Sequence, residues 1–275
     1  MKIAYWSPVH GQAGTTSNIL ATALITGMVC KKRCLLTQTH FNFNNLEAPL
    51  VGSNSKNVAS SEYFRDVGLD ALVRCFKAAK ISSEVLENCC ISLPNTNVSL
   101  LPGTSKNNKD SFEYEMDAVF LNLLRTMEEI ISIVFVDICS GNNPLSFKIM
   151  DDSDLVVVNL SQNMGIVDAY FTYYKERIQS KVFYLFGNYD RNSKYNINNI
   201  RRRYCMAITP MNSGVIPYNT AYLDAQCDGK VNEFIRENMG CDKKDQNRFF
   251  IQNVLKATEK ILKLTGVNID KEERI

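Results

Sequence analysis

The chain has 275 residues, 45% hydrophobic and 22% charged, with 7 Pro and 13 Gly; that composition suits an ordinary folded domain and excludes disordered, collagen-like and membrane-embedded classes. Lys and Arg number 31 against 29 Asp and Glu, a net charge of +2, which excludes a globally basic nucleic-acid coat but leaves room for a local patch. Histidine is scarce, with His10 and His40 the two copies.

In chain order, Lys2–Trp6 is predicted to be a strand and Ser17–Cys30 the helix after it. Further strands are predicted at Cys34–Thr37, Val98–Leu101, Ile131–Asp137, Leu155–Leu160, Val182–Phe186 and Gly214–Pro217, all short and apolar on both faces, as buried strands are. Helical periodicity marks Leu69–Ala79, Ser82–Cys90, Phe112–Glu129, Val167–Ile178, Asn196–Tyr204, Tyr222–Asn238 and Gln246–Leu264. Polar stretches at Gly52–Ser61, Thr104–Asp110, Asp190–Tyr195 and Met239–Gln246 read as surface loops. This alternation predicts one α/β domain over residues 1–275, a doubly wound, mainly parallel sheet flanked by helices.

The 9 cysteines are an odd number in a chain able to build a core, which argues against a disulfide framework. Neither Cys30-x3-Cys34 nor the adjacent Cys89-Cys90 has the partner pair or histidine of a zinc site. No apolar run approaches the roughly 18 residues of a membrane span, and the first residues read as a strand and not as a secretory leader. A cytoplasmic chain is expected, with any recruitment to a cell pole or the inner membrane made through a partner.

The segment His10-Gly11-Gln12-Ala13-Gly14-Thr15-Thr16-Ser17 joins the first strand to the first helix. Its two glycines permit a tight turn that aims backbone N–H groups inward, beside the positive end of the helix. An anion fits there, with the Thr16 and Ser17 hydroxyls placed to serve Mg²⁺. The lysine of the pattern Gly-x4-Gly-Lys-Ser/Thr is missing, and Thr15 takes its place. On this segment alone, a turn capped by Thr or Ser is an equal alternative.

With this loop, the order of motifs resembles the ParA/MinD-type P-loop ATPases (SIMIBI class), whose deviant Walker A loop reads Lys-Gly-Gly-x-Gly-Lys-Ser/Thr. His10 falls on the signature lysine and Thr15 on the second. A loop without the second lysine is most similar to the TadZ/CpaE branch, which serves pilus and secretion machinery. Cys34-Leu-Leu-Thr-Gln-Thr-His40 resembles the second strand and first switch, with Gln38 and His40 at its two Asp positions. Leu101-Pro102-Gly103 resembles the family's strand ending, Asp137-Ile-Cys-Ser-Gly141 its second switch, Leu185-Phe-Gly-Asn188 the strand ending in a base-contacting Asn, and Gly214-Val-Ile-Pro217-Tyr218 the segment near the purine.

The resemblance implies ATP and Mg²⁺ as cofactors. Gly11, Gln12, Ala13, Gly14, Thr15, Thr16 and Ser17 would cradle phosphate, Asn188, Pro217 and Tyr218 would bound the base, and Thr16 and Asp137 would hold the metal. His10 and His40 stand at positions that act on the reacting phosphate, so hydrolysis is expected to be slow or absent, because phosphoryl transfer depends on positioned charge. Simpler readings remain: Asp137 as a turn cap, Asn188 and Tyr218 as loop residues, and the two histidines as coincidence. The implied function is a nucleotide-dependent homodimeric organiser of a pilus, secretion, segregation or conjugation apparatus; a scaffold that kept the fold but lost the nucleotide is the alternative. DNA binding through Lys194 and Arg201-Arg202-Arg203 competes with a solvated helix end, since consecutive residues fan around a helix. The apolar stripe of the last helix, Phe249, Phe250, Val254, Ile261, Leu262 and Leu264, reads as packing against the sheet in preference to a membrane face.

Overall fold

Along β1 (Lys2–Trp6) side chains alternate between two apolar clusters, Ile3 and Tyr5 in one and Ala4 and Trp6 in the other, so the strand is buried between two helical layers. The computed structural model describes residues 1–41, 45–52, 67–79, 81–104, 106 and 108–267. Within them β1 is joined by β2 (Cys34–Gln38), β3 (Ile91–Ser92), β4 (Val98–Leu100), β5 (Ile133–Asp137), β6 (Leu155–Leu160), β7 (Val182–Tyr189) and β8 (Ser213–Pro217). They form one sheet in the order β3-β4-β2-β5-β1-β6-β7-β8, parallel except for the β3/β4 pair. The strand order reverses about β1, which makes the carboxyl ends beside it the place where a crevice opens. Register brings those ends abreast, with Tyr5 opposite Asp137 and Gln38 opposite Asp137 on its other side.

The helices are α1 (Thr15–Val29), α2 (Ala48–Val51), α3 (Leu69–Lys77), α4 (Ser83–Asn88), α5 (Lys109–Ile130), α6 (Pro144–Asp151), α7 (Met164–Tyr173), α8 (Ile197–Arg203), α9 (Thr220–Asp228), α10 (Val231–Asn238) and α11 (Arg248–Leu264). Buried residues of α1, α10 and α11 share one cluster, and those of α3, α5, α6 and α7 the other. The doubly wound, mainly parallel architecture expected from the alternation is the one observed.

Differences from the predicted elements have local causes. The helix expected over Tyr222–Asn238 is two helices, because Gly229 takes φ +72° and ends α9; a Cβ there would sit 2.2 Å from the Gly52 backbone. The one expected over Val167–Ile178 starts earlier, where Asn163 caps Gly165 N–H, and ends in a 3₁₀ turn at Lys175–Arg177. Helix α6 was not predicted, although Asn143 at its N-cap and Pro144 after it are a start signal. Strand β3, with two residues, is too short for any period to reveal. The expected loop at Gly52–Ser61 lies almost wholly outside the described residues.

Buried Phe250, Val254, Ile261 and Leu262 pack α11 against β8 and α1 as the stripe reading required, whereas Phe249 of that stripe is exposed. At the opposite end of β1 from the crevice, fully buried Lys2 donates to Glu128 (2.9 Å) and Asp152 (2.7 Å). Asp152 also binds Arg125, and these bonds, working against its own burial, hold its carboxyl below the usual range. Without Lys2, Asp152 keeps Arg125 and Glu128 keeps the N-terminal amine, so what is lost is a pair of charge-assisted hydrogen bonds. Lys2→Ala should therefore cost about 2 kcal/mol, read as a shift in the urea midpoint at unchanged slope.

Candidate functional site

The loop after β1 is built from two backbone positions that favour glycine: Gly11 at φ +71° and Gly14 at φ +64°. Gly14 is itself the N-cap of α1, so the helix begins at Thr15, two residues before the predicted start, and no Thr or Ser side chain caps it. The hydroxyls of Thr16 and Ser17 are thereby released for other partners. Thr16 donates to Asp137 Oδ2 at 2.8 Å, and Ser17 donates to Gln226 Oε1 at 2.5 Å. Asp137 closes β5 and is buried, its side chain 2% exposed.

His40, two residues beyond β2, reaches the same carboxylate oxygen, Nε2 to Oδ2 at 3.3 Å, and its Nδ1 is buried without a hydrogen-bond partner among the described residues. Burial opposes protonation of the ring, but the bond to Asp137 and the nearby Glu47 carboxylate outweigh it, holding the histidine above its ordinary pKa. Gln38, at the other switch position, turns away: its amide oxygen accepts Leu46 N–H, and a Cβ on Gly103 would lie 2.5 Å from its nitrogen. Gly141 takes φ +76° and donates its N–H to Ser7 O, and His10 Nε2 lies 3.9 Å from where its Cβ would be.

Register between β7 and β8 shifts across Phe186 to Tyr189. Such a bulge re-aims a side chain; here Asn188 takes φ +48° and stands over Gly14, 3.5 Å from the position of a Cβ. A cavity of about 300 Å³ results, lined by His10, Gly11, Gly14, Thr15, Thr16, Ser17, His40, Asp137, Asn188, Pro217 and Tyr218. Of the residues singled out from sequence, Gln12 and Ala13 do not line it; Gln12 is exposed, and Ala13 is buried with its carbonyl accepting Asn18 Nδ2 at 3.0 Å.

The supporting residues were not read from sequence. Asn18 Nδ2 also donates to Asn159 Oδ1 (2.8 Å), and Asn159 Nδ2 donates to the Trp6 and Val157 carbonyls, tying the loop to two strands from below. Tyr222 donates to Ser17 O. An asparagine inside the apolar run Leu155–Leu160 was the available signal, because a buried amide requires partners. The arginine run is dispersed: Arg201 donates to Ser213, Arg203 pairs with Asp168, and Arg202 lies 3.5 Å from Asn199.

Solved structures similar to this chain share its architecture over nearly their whole length. A ParA family ATPase from Chlorobium tepidum matches with a TM-score of 0.67 at 12% identity, covering 94% of this chain and 98% of that one. The septum site-determining protein MinD from Pyrococcus horikoshii, complexed with Mg-ADP, matches at 0.66 and 14%, covering 96% and 97%. This chain has the ParA/MinD ATPase fold. A putative plasmid partition protein from Borrelia burgdorferi, bound to AMPPNP, shares it at 0.59 and 13%, covering 95% and 98%. No family model matches the chain, and no curated protein matches it in sequence. No helix among the described residues of this ParA/MinD-like chain is long and apolar enough to cross a membrane.

A Cβ at Gly187 would lie 2.1 Å from Ala13 O and 2.6 Å from Asn18 Nδ2. Gly187→Ala should destabilise by roughly 1–3 kcal/mol, measured by urea unfolding, because backbone must move. The sign of the His40 effect is equally testable. A histidine held above its unfolded pKa of about 6.5 contributes stability that is fully present below that value and lost as pH rises through the folded one. His40→Asn should therefore lower stability more at about pH 6 than at about pH 9, and equal losses would contradict the pairing.

Proposed function

We propose that the chain binds ATP in the cavity above the β1–α1 loop and acts as a nucleotide-dependent dimeric organiser with slow or absent hydrolysis. The observation that carries this reading is the convergence of Gly14, Thr16, Asp137 and Asn188, drawn from two strand ends and one helix start, on one cavity. Backbone N–H groups of Gly11 to Ser17 would take the phosphates at the positive end of α1. Asn188, with donor and acceptor on one amide, would read the purine edge, and Pro217 with the 57% exposed ring of Tyr218 would cover its face.

Thr16 and Asp137 present a hydroxyl and a carboxylate 2.8 Å apart on that cavity wall, a hard-oxygen pair of the kind Mg²⁺ takes. When bound, the ion would neutralise phosphate charge. Slow turnover follows from the side chains present: the loop carries His10 and Thr15 in place of lysine, and His40 is engaged with Asp137. The missing lysine also supports assignment to the TadZ/CpaE-like branch, and with it a protein partner in a pilus, secretion or segregation apparatus in the cytoplasm. DNA contact through Lys194 and Arg201–Arg203 loses support from the pairing of Arg201 and Arg203.

The same His40–Asp137 bond favours a second reading, a scaffold whose site no longer takes nucleotide. Thermal unfolding separates the two. ATP with Mg²⁺ at 100 times its Kd adds about 2.7 kcal/mol to a binding protein, roughly 5–10 °C in a chain of this size. A rise of that size is expected here, with sedimentation showing a dimer when ATP is present; an unchanged Tm at millimolar ATP would favour the scaffold.

A further inference from the structure

A second cavity, of about 780 Å³, adjoins the first, and His10, Gly11 and His40 line both. Its remaining walls come from the segments after β2 and β5 and from α5 and α6. Phe41, Met116 and Leu145 are apolar; Glu113, Asp117, Asn143 and Lys148 are polar or charged. Asp117 accepts Lys148 at 2.7 Å, and Asn143 spends its amide oxygen on capping α6, which leaves its N–H₂ group as a donor. The Phe41 ring packs on Phe112 with centroids 5.9 Å apart.

Carboxylates are well suited to ribose hydroxyls, and a half-exposed ring beside apolar side chains is suited to a base. The chamber thus has the chemistry of a nucleoside site, and it opens beside the proposed phosphate loop. We propose that the two cavities together hold a bis-nucleoside polyphosphate, one nucleoside between Asn188 and Tyr218, the phosphates passing Gly11 and His10, and the second nucleoside against Phe41, Glu113 and Leu145. The idea rests on the nucleotide reading above and names its ligand class. Charge supports it: an internal phosphate esterified on both sides carries less negative charge than a free terminal phosphate, which suits a loop with His10 and Thr15 where lysines would stand. No phosphoryl transfer is required of such a ligand.

Calorimetric titration of the full chain with ATP and with diadenosine tetraphosphate, on the parent and on Leu145→Trp, tests the proposal. The dinucleoside is expected to bind the parent at least about tenfold more tightly than ATP, and Leu145→Trp to remove that advantage while keeping ATP affinity, which also reports a folded variant. A dinucleoside no tighter than ATP, or an advantage that survives Leu145→Trp, overturns the second chamber and leaves the ATP reading standing. Failure of both ligands to bind the parent overturns the nucleotide reading, and this proposal with it. If Leu145→Trp loses ATP as well, Glu113→Gln on the exposed wall decides: loss of the advantage supports the chamber, and its retention overturns it.

Discussion

Everything at the crevice depends on a buried amide junction beneath the loop after β1. Asn18 holds the Ala13 carbonyl with one N–H and Asn159 with the other, and Asn159 in turn binds the carbonyls of Trp6 and Val157. All of these side chains lie at or below 1% exposure, so each bond is made where its loss leaves a polar group without water. Gly187 presses on the same point from β7. The left-handed turns at Gly11 and Gly14 are thus backed by the sheet on two sides, and an anion arriving at the loop would find its N–H groups already aimed. Preorganisation of this kind removes an ordering cost that a mobile loop would incur on binding.

Above the junction, Asp137 joins the loop to the segment after β2. Its Oδ2 takes Thr16 from the start of α1 and His40 from beyond β2, so three chain segments far apart in sequence meet at one buried oxygen. A ligand that draws on Thr16 or Asp137 must alter what His40 experiences, and His40 faces both cavities. This is the physical route by which occupancy of the proposed phosphate site would reach the surface formed by Phe41 and α6.

Much of the fold was legible because buried parallel strands are short apolar runs; Lys2–Trp6 and Leu155–Leu160 have the predicted boundaries. What escaped depends on single residues whose effect is tertiary. Gly229 reads as one glycine in a helical stretch until Gly52 is placed against it, and β3 exists only because β4 offers it an edge. The site divides in the same way. Loop glycines, Thr16, Asp137 and Asn188 stand at motif positions, whereas Asn18, Gly187 and Tyr222 matter through partners that are remote in sequence. The His40–Asp137 contact was not legible at all, since spacing says nothing about which side chain a switch residue faces.

The central claim is that phosphate sits on the β1–α1 loop. Amide NMR during an ATP titration tests it most directly, because the backbone N–H groups are themselves the proposed ligands. The account predicts saturable shifts concentrated at Gly11 through Ser17, with smaller ones at Asn188 and Tyr218. Unperturbed loop amides at saturating ATP, or shifts gathered elsewhere on the chain, would contradict it.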